Sequence, residues 1–450
     1  MSSLKAYSLP LASATELLLS IRHLAWPSLL DSGAPSEMAG RFSIAAAAPT
    51  QKLEIYNRKQ LPLLEVLRHT DNTELPNKKL SHLPFIGGWL GYWSYDAGRL
   101  FEELPCLAEQ DLNLPLIRMG YYPWALITDH QLEETWLVGE FTEDLAAELT
   151  TKLEQTKKLT PTETATFKLT QPFASNLSYK DYQNRFDQVQ VLLRSGDTYQ
   201  VNLAQRFTAC YQGSLYLAWQ RLREQIAAPF SAFMDFGDAT VMSLSPERFL
   251  KATAQGKVET KPIKGTRPRG ANQEQDNQLA AELLNSKKDQ AENLMIVDLL
   301  RNDLGRVCQP GSIEVPDLFT LESYTNVHHL VSRITGQLAK NKTSLDLLKA
   351  SFPGGSITGA PKLRAMQIID QLEPCQRSIY CGSIGYFDRR GGVDFNIAIR
   401  TFIACQGRLH ISAGGGLVAD SVGSQEYQET LDKVARLIRC LESDFTGKAN

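Results

Sequence analysis

The chain has no long apolar run, no excess of charge of one sign, no internal repeat and no paired cysteines. Nowhere do ~18 apolar residues follow one another, the length a membrane-spanning helix needs, so a membrane protein of that kind is excluded. The segment MSSLKAYSLPLASATELLLSIRHLAW sets Glu16, Arg22 and His23 among its apolar residues and lacks the basic-then-apolar layout of a secretion signal. Lys and Arg number 47 against 50 Asp and Glu. That balance supplies no concentrated positive field for gripping a nucleic-acid backbone, so no nucleic-acid partner is expected. The seven cysteines (106, 210, 308, 375, 381, 405 and 440) are odd in number and never spaced CxxC. A disulfide scaffold and a structural zinc site are thereby excluded, and reduced thiols in the cytoplasm are expected. None lies in a Gly-x-Cys-x-Gly elbow, so no nucleophilic cysteine is expected either.

What is present is a chain of 450 residues, 43% apolar and 22% charged, enough for a large core in two or three domains. One composition shift divides it. Residues 151–177 are rich in Thr, Lys and Pro and read as a connection between an N-terminal region, 1–150, and a C-terminal region, 178–450. Short apolar runs broken by Gly and Pro (RFSIAAAAP, PFIGGWLGYWSYD, WALITDHQLEETWLVG) predict strands. Ser178 with Asp181 three residues on predicts a capped helix through Tyr182–Leu193, and further helices are expected at Lys287–Arg301, Pro361–Leu372 and 424–441. Strands and helices do not alternate regularly, so the class is α+β rather than a wound parallel sheet.

Five groups of residues could carry chemistry. Asp289 and Glu292, and again Glu426 and Glu429, stand three apart on predicted helices, where each pair shares a face and repels itself. A divalent cation between the helices would relieve that repulsion, and oxygen-only ligation favours Mg2+ over zinc; solvated helix faces are the alternative. FPGGSITGAPK (352–362) places glycines and hydroxyls ahead of a helix whose free N–H groups, with Lys362, could hold an anion. Ala360 follows Gly359 where a P-loop needs lysine, so a nucleotide loop is excluded. Gly414, Gly415 and Gly416 follow a predicted strand and let a backbone approach a ligand closely, without the helix a dinucleotide fold requires. Lys264 in KPIKGTRPRG would be a nucleophile only if a dry or cationic setting freed its lone pair; a surface lysine is the alternative. His328 and His329 lie in an apolar run whose alternation aims one inward, as a core residue or an acid–base group.

In order along the chain, SLSPERF (243–249), PIKGTRPRG (262–270), AENLMIVDLLRND (291–303), VHHLVS (327–332), FPGGSITGAPK (352–362), GSIGYF (382–387), IRT (399–401) and AGGGLVADS (413–421) resemble the chorismate-utilising enzymes. That family includes the large subunits of anthranilate synthase and aminodeoxychorismate synthase and the isochorismate and salicylate synthases. The resemblance covers nearly the whole chain. It implies two antiparallel sheets packed face to face, with helices outside. It also implies Mg2+ bound directly by Glu292 and Glu429, with Asp289 and Glu426 behind them. The substrate chorismate would be held by Thr266, Ser356, Thr358, Lys362, Tyr386, Arg400 and the glycines 414–416. Lys264, Glu247 and His329 would be catalytic: Lys264 as nucleophile, Glu247 in proton transfer, His329 as the acid at the ring hydroxyl.

Two positions discriminate within the family. PIKGT resembles the aminodeoxychorismate branch, where anthranilate synthases resemble PIAGT. Gln200 stands where the isochorismate and salicylate enzymes place a water-activating lysine. The resemblance therefore implies an amino-transferring enzyme served by a separate glutamine amidotransferase subunit. Anthranilate synthase component I is the alternative enzyme, and an inactive tryptophan-binding regulatory subunit the alternative of another class. LLDSG (29–33), Arg41-Phe42 and APFSAF (228–233) resemble a tryptophan pocket, which Ser32, Arg41, Phe42, Pro229 and Phe230 would line; ordinary core packing is the alternative.

Overall fold

The computed structural model describes residues 4–33, 40–70, 77–157, 166–324 and 327–442. Its strands form two sheets, of 13 and 10 strands among those residues, and every pairing within them is antiparallel. Residues on the inner faces, such as Ile44, Ala125, Met234, Val241 and Ile403 of the larger sheet and Leu90, Tyr92, Tyr122 and Ile384 of the smaller, share one buried cluster. The sheets are thus packed face to face. On the outer side of the larger sheet, helices Ala14–Ile21, Glu143–Thr156, Leu215–Gln225 and Gly423–Glu442 bury their apolar stripes in a second cluster. Helices Tyr179–Arg194, Lys287–Gly305 and Lys362–Leu372 contribute to a third. The α+β arrangement with helices outside is the one expected.

Local chemistry sets the helix ends. Ser178 and Asp181 form the expected capping box, each side chain taking the other's backbone N–H, and the helix runs from Tyr179 to Arg194. Pro361 lies just before the Lys362–Leu372 helix rather than inside it.

The expected connection is more structured than its composition suggests. Helix Glu143–Thr156 runs past residue 150, and Phe167–Leu169 and Ala174–Ser175 are strands paired with Gln200–Gly213; residues 158–165 lie outside the described residues. In each sheet the strands from before 151 form one block and those from after 177 another, and the two blocks join by a single strand pairing. Ser28–Asp31 pairs with Phe230–Asp235, and Gly88–Trp93 with Ser383–Asp388. The two regions therefore share one fold. Composition could not report this, because strand partnership depends on contacts far apart in sequence.

Candidate active site

Lys264 lies on the edge strand Ile263–Pro268, whose register against Val327–Gln337 slips between Ile263 and Thr266. The slip makes a bulge that re-aims the lysine out of the ladder. Gly265 takes the left-handed backbone the bulge requires, at φ +84°, and any β-carbon there would come within 2.9 Å of the Asp289 carboxyl carbon. The Lys264 ammonium donates to the main-chain carbonyl of Ser356 at 3.2 Å. Burial pushes its pKa below the usual lysine range, against the opposing pull of Glu247, Glu292 and Glu429.

Glu247 is buried, and its carboxyl is pushed up by burial while the Ser356 hydroxyl and Lys264 oppose the shift. Ser356 Oγ donates to Glu247 Oε1 at 2.7 Å. One residue thus binds the lysine through its carbonyl and the glutamate through its hydroxyl. Opposed shifts of this kind bring an amine and a carboxyl toward a common pKa, the condition for passing a proton between them.

Both histidines are buried, on opposite faces of their strand. His328 is fixed between Ser323 Oγ, 2.7 Å from Nδ1, and Asp276 Oδ1, 3.0 Å from Nε2. His329 Nδ1 is 2.9 Å from Thr266 Oγ1, and burial, with Arg400 nearby, lowers its pKa to about 4. It is therefore a neutral imidazole at pH 7. Arg400 sits in left-handed backbone at φ +51°, and its guanidinium has no hydrogen-bond or ion-pair partner among the described residues. A part-buried guanidinium without a protein partner among those residues, beside a neutral histidine, has the donors to receive a carboxylate.

The four acids come from helices Lys287–Gly305 and Gly423–Glu442. Burial raises the carboxyls of Glu292 and Glu426; Asp289 and Glu426 add repulsion at the first, Glu429 at the second. Oxygens of Glu426 and Glu429 lie 3.0 and 3.7 Å from where a side chain would begin on Gly415, so the absence of one lets both acids approach that strand. Cations already meet two of the four: Lys433 reaches Glu429 at 2.6 Å, and Arg267 reaches Asp289 at 3.3 Å. Hard oxygen donors that repel one another suit a magnesium ion. Among the described residues, however, no three acids stand close enough together to hold one without rearrangement.

Three residues expected to contact the substrate, Lys362, Thr358 and Tyr386, have intramolecular surroundings of their own. Lys362 donates to Asp303 at 2.6 Å and to the Ser351 carbonyl at 2.9 Å, tying its helix to Lys287–Gly305. Thr358 is fully buried, and its hydroxyl bonds the carbonyls of Gly354 and Gly355. Tyr386 lines a different cavity, about 990 Å³ in volume, between the sheets. Strand alternation is the reason: from Ser383–Asp388 its side chain reaches the inner face, where its ring lies 5.2 Å from that of Phe85. Ser32, Arg41, Phe42, Pro229 and Phe230 line the same cavity. Arg41 is committed there to Asp129 at 2.9 Å and lies over the Phe42 ring.

Sequence reasoning missed Asn202, Glu373 and Arg377. Asn202 donates from its backbone N–H to the Thr358 carbonyl at 2.9 Å and from its side chain to Ser356 O at 3.3 Å. Glu373 and Arg377 form a buried pair beneath the same turn. Their i, i+4 spacing was visible, but it falls beyond the end of the Lys362–Leu372 helix, where no helical pairing was expected. Gln200, fully buried, donates its amide to Asn202 Oδ1 at 3.1 Å.

Comparison with known proteins gives one consistent answer. The description "chorismate binding enzyme" matches residues 29–439. The chain is 48% identical to aminodeoxychorismate synthase component 1 of Klebsiella aerogenes, covering 93% of this chain and 94% of that one. It is 46% identical to the Escherichia coli protein of the same name, with 94% of each covered. Among solved structures, anthranilate synthase component I from Streptococcus pneumoniae superposes with a TM-score of 0.79 at 32% identity, covering 90% of this chain and 94% of that one. The menaquinone-specific isochorismate synthase of Escherichia coli shares the fold, with a TM-score of 0.73 at 17% identity over 98% and 95%. With its anthranilate synthase component I-like fold and relatives matched along nearly their whole length, this chain belongs to the chorismate binding enzyme family.

Proposed function

We propose that the protein is the large subunit of an aminodeoxychorismate synthase, converting chorismate and ammonia to 4-amino-4-deoxychorismate. The observation that carries this reading is the setting of Lys264: a bulge-projected amine, desolvated and flanked by Glu247, in a relative of proteins bearing that name. In the reaction, the neutral amine of Lys264 bonds to ring carbon two, the ring double bond shifts, and hydroxide leaves carbon four. Ammonia then adds at carbon four, the double bond shifts back, and the lysine nitrogen departs. The sum is exchange of hydroxyl for amino with release of water, and no oxidant is required.

Glu247 takes the proton that Lys264 must lose, since burial brings the two groups' affinities together. His329, neutral at pH 7, supplies a ring N–H to the departing oxygen rather than the proton of an imidazolium. Arg400 holds a substrate carboxylate. A magnesium ion on Glu292 and Glu429, with Asp289 and Glu426 behind, would act as a Lewis acid toward the second carboxylate and the leaving hydroxyl. Ammonia would come from a glutamine amidotransferase partner; burial pushes the thiols of Cys308, Cys375 and Cys381 up to about 11, away from the thiolate that a glutaminase nucleophile needs. The inter-sheet cavity, with Phe42, Pro229 and Phe230 on its wall, is proposed to take tryptophan.

Product analysis tests the reading. Purified chain with chorismate, magnesium and an ammonium salt is expected to yield the 4-amino compound, which a lyase converts to 4-aminobenzoate. Fluorescent anthranilate instead would make it an anthranilate synthase, and no turnover would leave a regulatory subunit.

A further inference from the structure

A buried charge pair lies directly behind the site. Arg377 and Glu373 are 5% and 6% exposed. Removing both from water costs several kcal/mol per ion before their attraction offsets it, so such a pair calls for a physical reason. Arg377 donates to both Glu373 oxygens, at 2.9 and 2.6 Å, and its outer nitrogens also reach two main-chain carbonyls, Ile357 at 3.0 Å and Asn202 at 2.9 Å. Glu373 Oε1 accepts from the Ala204 N–H at 2.9 Å. The guanidinium carbon lies over the Tyr95 ring, 4.6 Å from its centre.

Those carbonyls belong to the two segments that meet under Lys264. Ile357 follows Ser356, whose carbonyl accepts from the lysine and whose hydroxyl binds Glu247. Asn202 grips the same turn from the Gln200–Gly213 strand. Arg377 thus fixes the strand and the turn to each other with one planar group, which a lysine's single ammonium cannot reproduce.

We infer that Arg377 is a positioning residue for Lys264: by clamping Ile357 and Asn202 it sets where the Ser356 carbonyl and hydroxyl hold the lysine and Glu247. The inference rests on Lys264 being the reacting amine.

Arg377→Lys keeps the charge and removes the fork. Asn202→Ala loosens the same turn without touching the buried pair, and so remains informative should the first variant fail to fold. Each is expected to lower kcat for ammonium-dependent turnover by about tenfold or more, as small displacements of a reacting group do, with KM for chorismate changed by less than about twofold. The double variant should fall well short of the product of the two effects, since both act on one turn. A second readout does not depend on turnover: reductive methylation of Lys264 with formaldehyde and cyanoborohydride at fixed pH, read by mass spectrometry against exposed Lys251. Released from its carbonyl, Lys264 should react about threefold faster in both variants. Arg99→Lys, which disturbs the half-buried pair with Asp370, should lower Tm and leave Lys264 labelling unchanged. Wild-type kcat and labelling in Arg377→Lys or Asn202→Ala, or equal changes in Arg99→Lys, would overturn the inference. A wild-type chain that forms no product defeats the proposed reaction alone, because the labelling arms still report on Arg377.

Discussion

Lys362 was expected to face the substrate and instead makes a 2.6 Å ion pair with Asp303, with side chains 16% and 6% exposed. Burial lowers the lysine and raises the aspartate, so each group bears a desolvation cost that the other offsets. Removing one partner leaves the other's charge buried alone, which costs about 3–5 kcal/mol; replacing both by apolar residues of similar volume is often nearly neutral. Asp303→Leu and Lys362→Met should therefore each lose about a fifth or more of a stability of about 5–15 kcal/mol. The double variant should recover most of it. Urea unfolding at pH 7 measures all three, with unchanged m-values required for the comparison. Chorismate KM then separates the roles. A structural Lys362 predicts that KM returns to the wild-type value in the double variant along with stability. Recovery of stability without recovery of KM would mean that the ammonium binds the ligand and that this assignment is wrong.

His410 is 4% exposed, and burial lowers its pKa to about 4 from an ordinary 6.5. The unfolded chain binds the extra proton first, so stability is intact above pH 6.5 and falls as the pH drops toward 4, by about 2 kcal/mol at pH 5. Urea unfolding of wild type and His410→Gln at pH 7 and 5 should show that much less acid sensitivity in the variant, and identical pH dependence would refute the burial argument. Glu292→Ala and Glu429→Ala should each raise the magnesium concentration for half-maximal turnover at least about tenfold, the scale of losing one ligand; an unchanged requirement in both would remove them as ligands. Lys264→Ala should abolish turnover and any amine-linked substrate adduct seen by mass spectrometry. An adduct persisting in that variant would place the nucleophile elsewhere.

The sequence disclosed residue types and order better than it disclosed direction. Paired acids three apart, a capping box at Ser178 and a lysine between proline and glycine are local patterns, and each was found where its spacing put it. Local spacing also predicted that His328 and His329 would part, since strand alternation demands it. It could not say that both would be covered, because the cover for His328 is Asp276, 52 residues away. The same limit applies to Tyr386 and Lys362. Tyr386 sits in a glycine-containing run, and which face of its strand its side chain takes is decided by the sheet-to-sheet packing. Lys362 follows an anion-binding pattern, but Asp303 lies on another helix and no spacing reveals it. Arg377 was hidden for a further reason: besides Glu373, the two acceptors that make it a clamp are the main-chain carbonyls of Ile357 and Asn202, which carry no residue identity. A site built on a bulge, a turn and a buried guanidinium is legible in its reactive groups and silent in its supports. The supports are therefore where structure adds most, and where substitution should alter rate without altering the chemistry.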